Sequence, residues 1–317
     1  MGDSPPPHLT RISERCGPLM GTTVEVQVVL DGTDREVEGH AMVTEAISGM
    51  VRLQDLLSSV DPDSEFSRWT RDPSFVPGEE LTRVLAEAAE WQGRSGGRFN
   101  PAIGVLSDLW RDAQSDDHPP DREVTRRLAE SIAAPRWAVD QSGHVRQLDD
   151  CRPCTLNAFA KGWIVDRAAE SLRHIGVRTA TVNAGGDLRR IGPDPLHVGI
   201  EDPTAPYDNQ PPIAAVAVVD AAIATSGTAH RGFTIAEQRF GHVIDPRTGW
   251  PVDAIRSISV VASDTATADV LATVLGVEEP ASAIAEAENL GLAVFIVDAD
   301  GEVHRSRAWR AIEIDVS

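Results

Sequence analysis

Residues 155–187 constrain the fold of this chain most, because they join a helix, a strand and a glycine turn in one segment. The pattern over 162–175 predicts a helix whose apolar residues share one face, namely Ile164, Val165, Ala168, Ala169, Leu172 and Ile175. Residues 179–183 predict a buried strand, and Gly185-Gly186-Asp187 follows it directly. Glycines at a strand end let a ligand or a second backbone approach closely. The segment therefore predicts either a ligand-binding turn or an ordinary helix–strand unit.

The rest of the chain contains both segments with the apolar spacing of helices and segments with that of strands. This mixture predicts an α+β fold. Strands are expected at 22–30, 137–139, 144–148, 196–201, 213–219, 223–225, 240–244, 258–262, 292–297, 303–306 and 312–314. Further helices are expected at 34–60, 79–92, 123–133, 264–275 and 281–290. Residues 1–17 are rich in proline and polar side chains, which predicts a flexible tail before a single domain over 18–317.

The charge of the chain limits its partners. Its 317 residues carry a formal net charge of −20, and a field of that sign repels nucleic acids and anionic membranes. An anionic ligand can bind only where local cations or a metal ion offset this charge. We therefore expect no nucleic-acid partner, and we look for a cation within any ligand site.

Two features bear on location. No run of about 18 apolar residues occurs, so no membrane span is expected. The first residues lack the apolar stretch of a signal peptide, and Cys16 has no such stretch before it that would indicate lipidation. These features predict a cytoplasmic protein.

Cys151 and Cys154 form a CxxC pair, a spacing that holds zinc or performs redox chemistry in other proteins. Zinc needs two more ligands, and the sequence has no second CxxC. The pair also lies outside a helix start, where thioredoxin-like motifs occur. We therefore expect neither activity from it.

Two features favour phosphate chemistry. Asp269 and Thr273 lie four residues apart in a predicted helix, so their oxygens share one face, and Mg²⁺ prefers oxygen ligands. The alternative is a solvated aspartate and a threonine that bonds to its own backbone. Lys161 lies at the predicted start of the helix over 162–175, where the helix dipole adds to its charge and favours an anion such as pyrophosphate.

Several short motifs occur in a fixed order along the chain. They are Met20-Gly21-Thr22, Lys161-Gly162, Gly185-Gly186-Asp187, Thr225-Ser226-Gly227, His242 with Asp245-Pro246-Arg247-Thr248-Gly249, and Asp269 with Thr273. In this order they resemble the ApbE-type FAD:protein FMN transferase family, from Met20 to the C-terminal strands. The resemblance implies an ApbE-like (T-fold-like) α+β domain with mixed sheets, packed helices and two lobes around a flavin cleft.

The resemblance also implies which residues form the site. Mg²⁺ is expected on the Ala158 carbonyl, Asp269 and Thr273, and catalysis is assigned to His242, Asp269 and Lys161. The residues expected to contact FAD are Met20, Arg98, Phe99, Asn100, Thr155, Lys161, Asp187, Thr225, Ser226, Gly227 and His242. For His242, three roles remain open: a general base, a residue that orients the ligand, or a structural histidine.

The implied reaction is Mg²⁺-dependent transfer of FMN from FAD to a Thr or Ser hydroxyl of a target protein, with release of AMP. The target is expected to carry a flavinylation-type acceptor motif. Two alternatives use the same residues: an Mg²⁺-dependent FAD pyrophosphatase that yields FMN and AMP, and a flavin-binding or trafficking protein without turnover.

The chain departs from the family pattern at several flavin positions. Val60 stands where relatives often have an aromatic residue, Thr70 replaces a frequent Asn, Asn100 a frequent Asp, and Thr155 an Asp. Residues 228–230 (Thr-Ala-His) replace an acidic and an aromatic residue of the family. Because these positions lie outside the Lys161, Asp269 and Thr273 set, we expect them to affect flavin affinity more than metal chemistry.

Overall fold

A computed structural model describes residues 8–205, 210–227 and 232–315 of the chain. Within these ranges runs of helices are separated by runs of antiparallel strands, which confirms the α+β class. The helices are α1 (Glu36–Leu57), α2 (Glu65–Arg71), α3 (Glu79–Arg94), α4 (Gly104–Ser115), α5 (Arg122–Ser131), α6 (Ala160–His174), α7 (Thr265–Gly276), α8 (Pro280–Leu290) and α9 (Arg307–Arg310), with a 3₁₀ turn at Pro101–Ile103.

The strands include a long N-terminal pair and several short hairpins. They are β1 (Leu9–Leu19), β2 (Thr22–Asp31), β3 (Trp137–Val139), β4 (Val145–Gln147), β5 (Thr179–Ala184), β6 (Asp187–Ile191), β7 (Leu196–Ile200), β8 (Ala214–Val218), β9 (Ala222–Gly227), β10 (Gly232–Ile235), β11 (Gln238–Gly241), β12 (Ile255–Ala262), β13 (Ala293–Asp298), β14 (Val303–Arg305) and β15 (Glu313–Ile314).

One eight-stranded sheet organises the molecule, with the strand order β1-β2-β5-β6-β9-β12-β13-β14. Three smaller sheets have the orders β15-β8-β7, β10-β11 and β3-β4. Every pair of neighbouring strands is antiparallel. The expected mixed sheets are therefore antiparallel throughout the described strands, which short hairpin connections allow.

The main core lies between one face of this sheet and the helices. In β2, Val24, Val26 and Val28 are fully buried and alternate with Glu25 and Gln27 on the other face, as expected for a strand with one covered side. Helices α1, α6 and α7 pack on the covered side. This arrangement brings the start of α6 and the start of α7 to the middle of the sheet.

The opposite face of the sheet is covered in part by the small sheet β15-β8-β7. Leu188 on β6, Ile223 on β9 and Phe295 on β13 form this second core with Val216 and with Trp309 from α9. The strand predicted at 312–314 forms as β15, and it joins this small sheet and not the main sheet. None of the helices in the described ranges has the length and apolar character needed to cross a bilayer.

Three expectations need correction. The flexible tail was expected over 1–17, but residues 9–17 belong to β1, whose register pairs Arg15 with Glu25; residues 1–7 lie outside the described ranges. The strand expected over 240–244 ends at Gly241. Ile175, expected on the apolar face of α6, lies beyond the helix end and is 50% exposed.

Candidate active site

The first turns of α6 and α7 approach each other more closely than two helices with side chains could. A Cβ atom on Gly162 would lie 2.6 Å from the Thr265 carbonyl oxygen and 2.8 Å from the Ala266 Cα. Only glycine fits at this contact, since the neighbouring atoms belong to the backbone. The Lys161-Gly162 motif therefore joins the two helices, and it places Lys161 beside the Asp269 helix.

Lys161 forms an ion pair with the carboxylate at the start of β6. Its Nζ lies 2.5 Å from Asp187 Oδ2, and the Asp187 side chain is 2% exposed. The other oxygen, Asp187 Oδ1, accepts a hydrogen bond from the Thr225 backbone N–H at 3.4 Å. Burial raises the pKa of Asp187, and the Lys161 charge acts against that rise. Three residues predicted from separate motifs thus meet at one place.

Asp269 faces the same junction from α7. Its Oδ2 accepts a hydrogen bond from the Gly162 backbone N–H at 3.4 Å. Burial, together with the nearby Asp187 carboxylate, raises the pKa of Asp269 to about 8, although the Lys161 charge acts against this rise. Two carboxylates therefore share one lysine, and with both ionised the cluster carries more negative than positive charge.

The donor set fits a hard divalent cation. An excess of carboxylate charge attracts one, and a carboxylate, a hydroxyl and a backbone carbonyl are oxygen ligands of the kind Mg²⁺ takes. Asp269 and Thr273 lie one turn apart on α7, and Ala158 lies in the loop that enters α6. Among the described residues no three His, Cys, Asp or Glu side chains cluster as a metal site. The expected Mg²⁺ ligands, Ala158, Asp269 and Thr273, include only one carboxylate, so they would not form a cluster of that kind.

Sequence reasoning missed two buried charged residues beside this junction. Asp166 on α6 is 5% exposed, and its carboxylate accepts hydrogen bonds from the Thr265 and Ala266 backbone N–H groups, both at 2.8 Å. Arg189 on β6 lies 3.8 Å from Asp166 Oδ1. The helical spacing did contain a signal, because Asp166 falls four residues after Gly162 on the buried face of α6.

The Met20-Gly21-Thr22 and Gly185-Gly186-Asp187 motifs lie against each other at the ends of β2 and β5. The Gly185 backbone N–H donates to the Thr23 carbonyl at 3.2 Å, and a Cβ on Gly185 would lie 2.3 Å from the Thr22 hydroxyl oxygen. A cavity of about 270 Å³ opens here, lined by Arg15, Thr22, Thr23, Glu25, Asn183 and Gly185. The half-buried Met20 lies in the adjoining turn, and its N–H donates to Gln54 Oε1 at 2.5 Å.

This contact gives a matched pair of substitutions. Gly185 and Gly186 both have positive φ angles, 62° and 99°, but a Cβ on Gly186 meets no atom within 4 Å. Both alanine variants therefore carry backbone strain, and only Gly185→Ala adds a clash with Thr22. We expect Gly185→Ala to be less stable than Gly186→Ala by about 1–3 kcal/mol in urea unfolding. Equal midpoints and slopes for the two variants would show that the Thr22 contact is not close.

The predicted flavin residues Arg98, Phe99 and Asn100 lie in a second group, before the 3₁₀ turn. Arg98 forms a two-bond ion pair with Glu286 of α8, at 2.6 and 2.8 Å. Phe99 is buried against Phe159, with ring centroids 6.4 Å apart. Asn100 is buried and donates to the Ile132 carbonyl at 2.8 Å. These contacts tie the group to the loop before α6, and flavin binding by its members stays a prediction.

Thr155 connects this second group to the junction. Its backbone N–H donates to the Pro101 carbonyl at 2.8 Å, and its hydroxyl accepts from the Asn157 N–H at 3.2 Å. The half-buried Thr155 side chain lies three residues before Ala158. The loop that is expected to supply the Ala158 carbonyl is thus held at both ends, by Pro101 and by the start of α6.

The remaining predicted residues lie at the ends of strands. Thr225, Ser226 and Gly227 end β9, where the Thr225 hydroxyl lies 2.7 Å from the Ser259 hydroxyl. His242 follows β11 directly and is half-buried. Residues 228–230, one of the departures from the family pattern, lie outside the described residues.

Two other departures have contrasting surroundings. Val60 is 90% exposed in the loop after α1, so its side chain has no packing role there. Thr70 is buried on α2, where its hydroxyl donates to the Ser67 carbonyl at 3.0 Å. Thr70 also borders a larger cavity of about 420 Å³, lined by Thr70, Arg71, Pro73, Gln147, Leu148, Asp149, Asp150 and Arg152.

The CxxC pair consists of two free, buried thiols. A hydrogen bond from Cys154 lowers the pKa of Cys151, and the same bond with burial raises the pKa of Cys154. A Cβ on Gly104 would lie 2.5 Å from the Pro153 carbonyl oxygen, so this loop packs closely on the start of α4. The surroundings are those of structural cysteines.

Comparison with known proteins identifies the family. A sequence model described as the ApbE family matches residues 20–296, which is most of the chain. The chain belongs to the ApbE family. The match begins at the Met20-Gly21-Thr22 motif and includes the whole α6–β6–α7 junction, so the site described above lies within the ApbE region.

Sequence relatives and a solved structure agree with the ApbE assignment. The FAD:protein FMN transferase of Vibrio cholerae is 29% identical, with 90% of this chain and 87% of that protein covered. The enzyme of that name from Treponema pallidum is 30% identical, with 84% of this chain and 80% of that protein covered. A mutant of the flavin transferase ApbE from Vibrio cholerae superimposes with a TM-score of 0.79 and 26% identity, covering 96% and 99% of the two chains. The ApbE-like fold is therefore confirmed.

Proposed function

We propose that this ApbE chain transfers FMN from FAD to a Thr or Ser hydroxyl of a target protein in an Mg²⁺-dependent reaction that releases AMP. The observation that carries the proposal is the convergence of Lys161, Asp187 and Asp269 at the α6–β6–α7 junction. Relatives that cover most of the chain are named FAD:protein FMN transferases. The junction supplies what splitting of a pyrophosphate requires, a cation and oxygen ligands in a partly buried place.

Lys161 provides the local positive charge that FAD needs in a chain of net charge −20. Asp187 holds its ammonium group at 2.5 Å, and the start of α6 adds the positive end of a helix dipole. Arg98, the other predicted cation, lies in the separate group before the 3₁₀ turn, where it pairs with Glu286. We assign the pyrophosphate to Lys161 because this residue lies at the junction that contains the proposed metal ligands.

The metal would be held by the Ala158 carbonyl, Asp269 and Thr273. When bound there, Mg²⁺ supplies Lewis-acid stabilisation of the charge that develops on the phosphate oxygens. The Gly162 N–H fixes one oxygen of Asp269 at 3.4 Å, which orients the carboxylate before the metal arrives. The close α6–α7 contact keeps the three proposed ligands on neighbouring elements.

In the proposed reaction, the hydroxyl oxygen of the target bonds to the FMN-side phosphorus of FAD. The bond from that phosphorus to the bridging oxygen breaks, and AMP leaves with this oxygen. The hydroxyl proton passes to a base, for which His242 is our candidate because it lies half-buried at the end of β11. FMN then remains on the target as a phosphoester.

Product analysis tests this function. The chain is incubated with FAD, MgCl₂ and a domain that carries an Asp-x-x-x-Ser/Thr-Gly-Ala-Thr acceptor sequence, and the products are weighed by mass spectrometry. We expect the domain to gain the mass of one FMN residue while AMP accumulates in equal amount. The control is the same domain with both hydroxyl residues of this sequence, the Ser/Thr and the final Thr, replaced by Ala. It is expected to stay unmodified.

Two outcomes would contradict the proposal. Equal amounts of free FMN and AMP, with the domain unmodified, would support the Mg²⁺-dependent pyrophosphatase, in which water is the nucleophile. Intact FAD that binds equally well with and without Mg²⁺ would support the flavin-binding or trafficking protein.

A further inference from the structure

We propose that Asp166 is a positioning residue that fixes the start of α7 against α6 and thereby sets the metal site. The inference rests on the proposed function, because it concerns the same junction. It goes beyond that function by assigning a role to a residue that is outside the expected metal ligands and the expected flavin contacts.

The geometry at the start of α7 carries the proposal. The first N–H groups of a helix have no partner within the helix. Here Thr265 and Ala266 donate theirs to the two oxygens of Asp166, each at 2.8 Å, and Thr267 donates to the helix's own N-cap, Asp264, at 2.8 Å. Two of the three bonds therefore go to another helix, and a bidentate contact fixes direction as well as distance.

Buried charge restricts the position of Asp166 itself. The Asp166 side chain is 5% exposed, and Arg189 from β6 lies 3.8 Å from Asp166 Oδ1 and 3.8 Å from Glu170 Oε1. Two residues earlier on β6, Asp187 pairs with Lys161. The two contacts have opposite polarity, since the strand provides the acid in one and the base in the other. A shift of α6 along β6 would break both contacts and bring like charges together in one of them, which disfavours any other register of α6.

Helix α7 connects the Asp166 contact to two of the expected metal ligands. Asp269 lies one helical turn after Thr265, and Thr273 lies one turn further. A rigid helix carries a displacement of its first turn to both. On the other side, Lys161 lies in the first turn of α6 and Ala158 lies in the loop just before it, five and eight residues before Asp166. Asp166 therefore links the two halves of the expected ligand set.

The variant Asp166→Asn tests this role. An amide has one oxygen to accept an N–H, and its NH₂ group faces the second donor, so one of the two bonds is lost. We expect the dissociation constant for Mg²⁺, measured by calorimetry on the full chain without FAD, to rise about tenfold or more, as for other residues that orient metal ligands. Amide hydrogen exchange of peptides within 263–270 is expected to become faster.

Asp220→Asn is the matched control. Asp220 accepts a hydrogen bond at 2.6 Å from Arg173, which lies at the far end of the same helix. Asp220→Asn removes a carboxylate that contacts the end of α6 and leaves the start of α7 unchanged, so we expect the Mg²⁺ dissociation constant to change less than twofold. A purely structural role for Asp166 would lower the thermal midpoint and leave Mg²⁺ affinity unchanged.

Gly162→Ala gives a second, independent test if Asp166→Asn does not fold. Its Cβ would meet the Thr265 carbonyl oxygen at 2.6 Å and would separate the two helix starts, so weaker Mg²⁺ binding is again expected. Wild-type Mg²⁺ affinity in the folded Asp166→Asn variant, or in Gly162→Ala where only that variant folds, would overturn the inference, as would an equal loss in Asp220→Asn. Absence of Mg²⁺ binding in the wild-type chain would instead overturn the proposed metal site, and the inference with it.

Discussion

Replacement of Asp269 by Asn is expected to lower Mg²⁺-dependent release of AMP from FAD by at least about a hundredfold, the cost of removing one group that stabilises transition-state charge. Asn keeps the shape of the side chain and can still accept the Gly162 hydrogen bond, but it lacks the charge that holds a divalent cation. The release of AMP is measured by chromatography under saturating FAD. Asp298→Asn, which changes a carboxylate at the end of β13, is the control and is expected to keep wild-type turnover.

In the metal-free protein, Asp269→Asn affects the pH dependence of stability, and there it is not expected to be harmful. Because the pKa of Asp269 is raised to about 8, the folded state keeps a proton that the unfolded state releases above about pH 4. Stability of the metal-free wild type therefore falls as pH rises from about 4 to about 8, and Asp269→Asn removes that contribution.

Thermal unfolding in EDTA and in MgCl₂ separates these effects. At pH 8 the metal-free Asp269→Asn variant is expected to be at least as stable as the wild type, and only the wild type should gain stability from MgCl₂. A variant that still releases AMP, or still gains stability from MgCl₂, would show that Asp269 is not a ligand.

Lys161→Met is expected to cost about 3 kcal/mol of stability at pH 7, because it leaves the buried Asp187 carboxylate without its cation. The cost depends on pH. Burial already raises the pKa of Asp187, and loss of Lys161 raises it further, so the folded variant holds its proton to a higher pH than the wild type does. At low pH the carboxyl group is neutral in both proteins and the deficit is small. The deficit grows as pH rises from the Asp187 pKa of the wild type to that of the variant, and it is constant above that.

Urea unfolding between pH 5 and pH 8 measures this deficit. The double variant Lys161→Met/Asp187→Asn is expected to recover most of the lost stability, because it removes the uncompensated charge. Arg173, which lies on α6 like Lys161, forms a more exposed ion pair with Asp220. Arg173→Met breaks this pair and should cost less than about 1 kcal/mol of stability. A Lys161→Met deficit that does not change with pH, or that the double variant keeps, would mean that Asp187 does not depend on Lys161.

Local patterns predicted several of the elements well. Alternation of Val24, Val26 and Val28 fixed the strand β2, and the apolar spacing over 162–175 located α6 within two residues at each end. Local patterns failed where burial is decided by distant segments. The polar β1 was assigned to a tail because its order comes from pairing with β2. The sheet that β15 joins could not be predicted from its own residues, because strand order depends on tertiary contacts.

The site, like the fold, could be predicted only where the signal lies in a local motif. Motif order, through the family resemblance, indicated Lys161, Asp187 and Asp269, and the structure brings these three together. The roles of Asp166 and Arg189 depend on contacts across 99 and 23 residues of sequence, which no local pattern encodes. The aspartate on the buried face of α6 was nevertheless a visible signal, since a buried charge requires a partner.

The most direct test of this account is a crystal structure of the chain with FAD and Mn²⁺ in place of Mg²⁺, with the anomalous signal used to locate the metal. We expect an anomalous peak bound by Asp269, Thr273 and the Ala158 carbonyl, with the FAD pyrophosphate beside Lys161. A peak elsewhere, or FAD seated in the cavity bordered by Thr70 and Arg152 and away from the α6–β6–α7 junction, would contradict it.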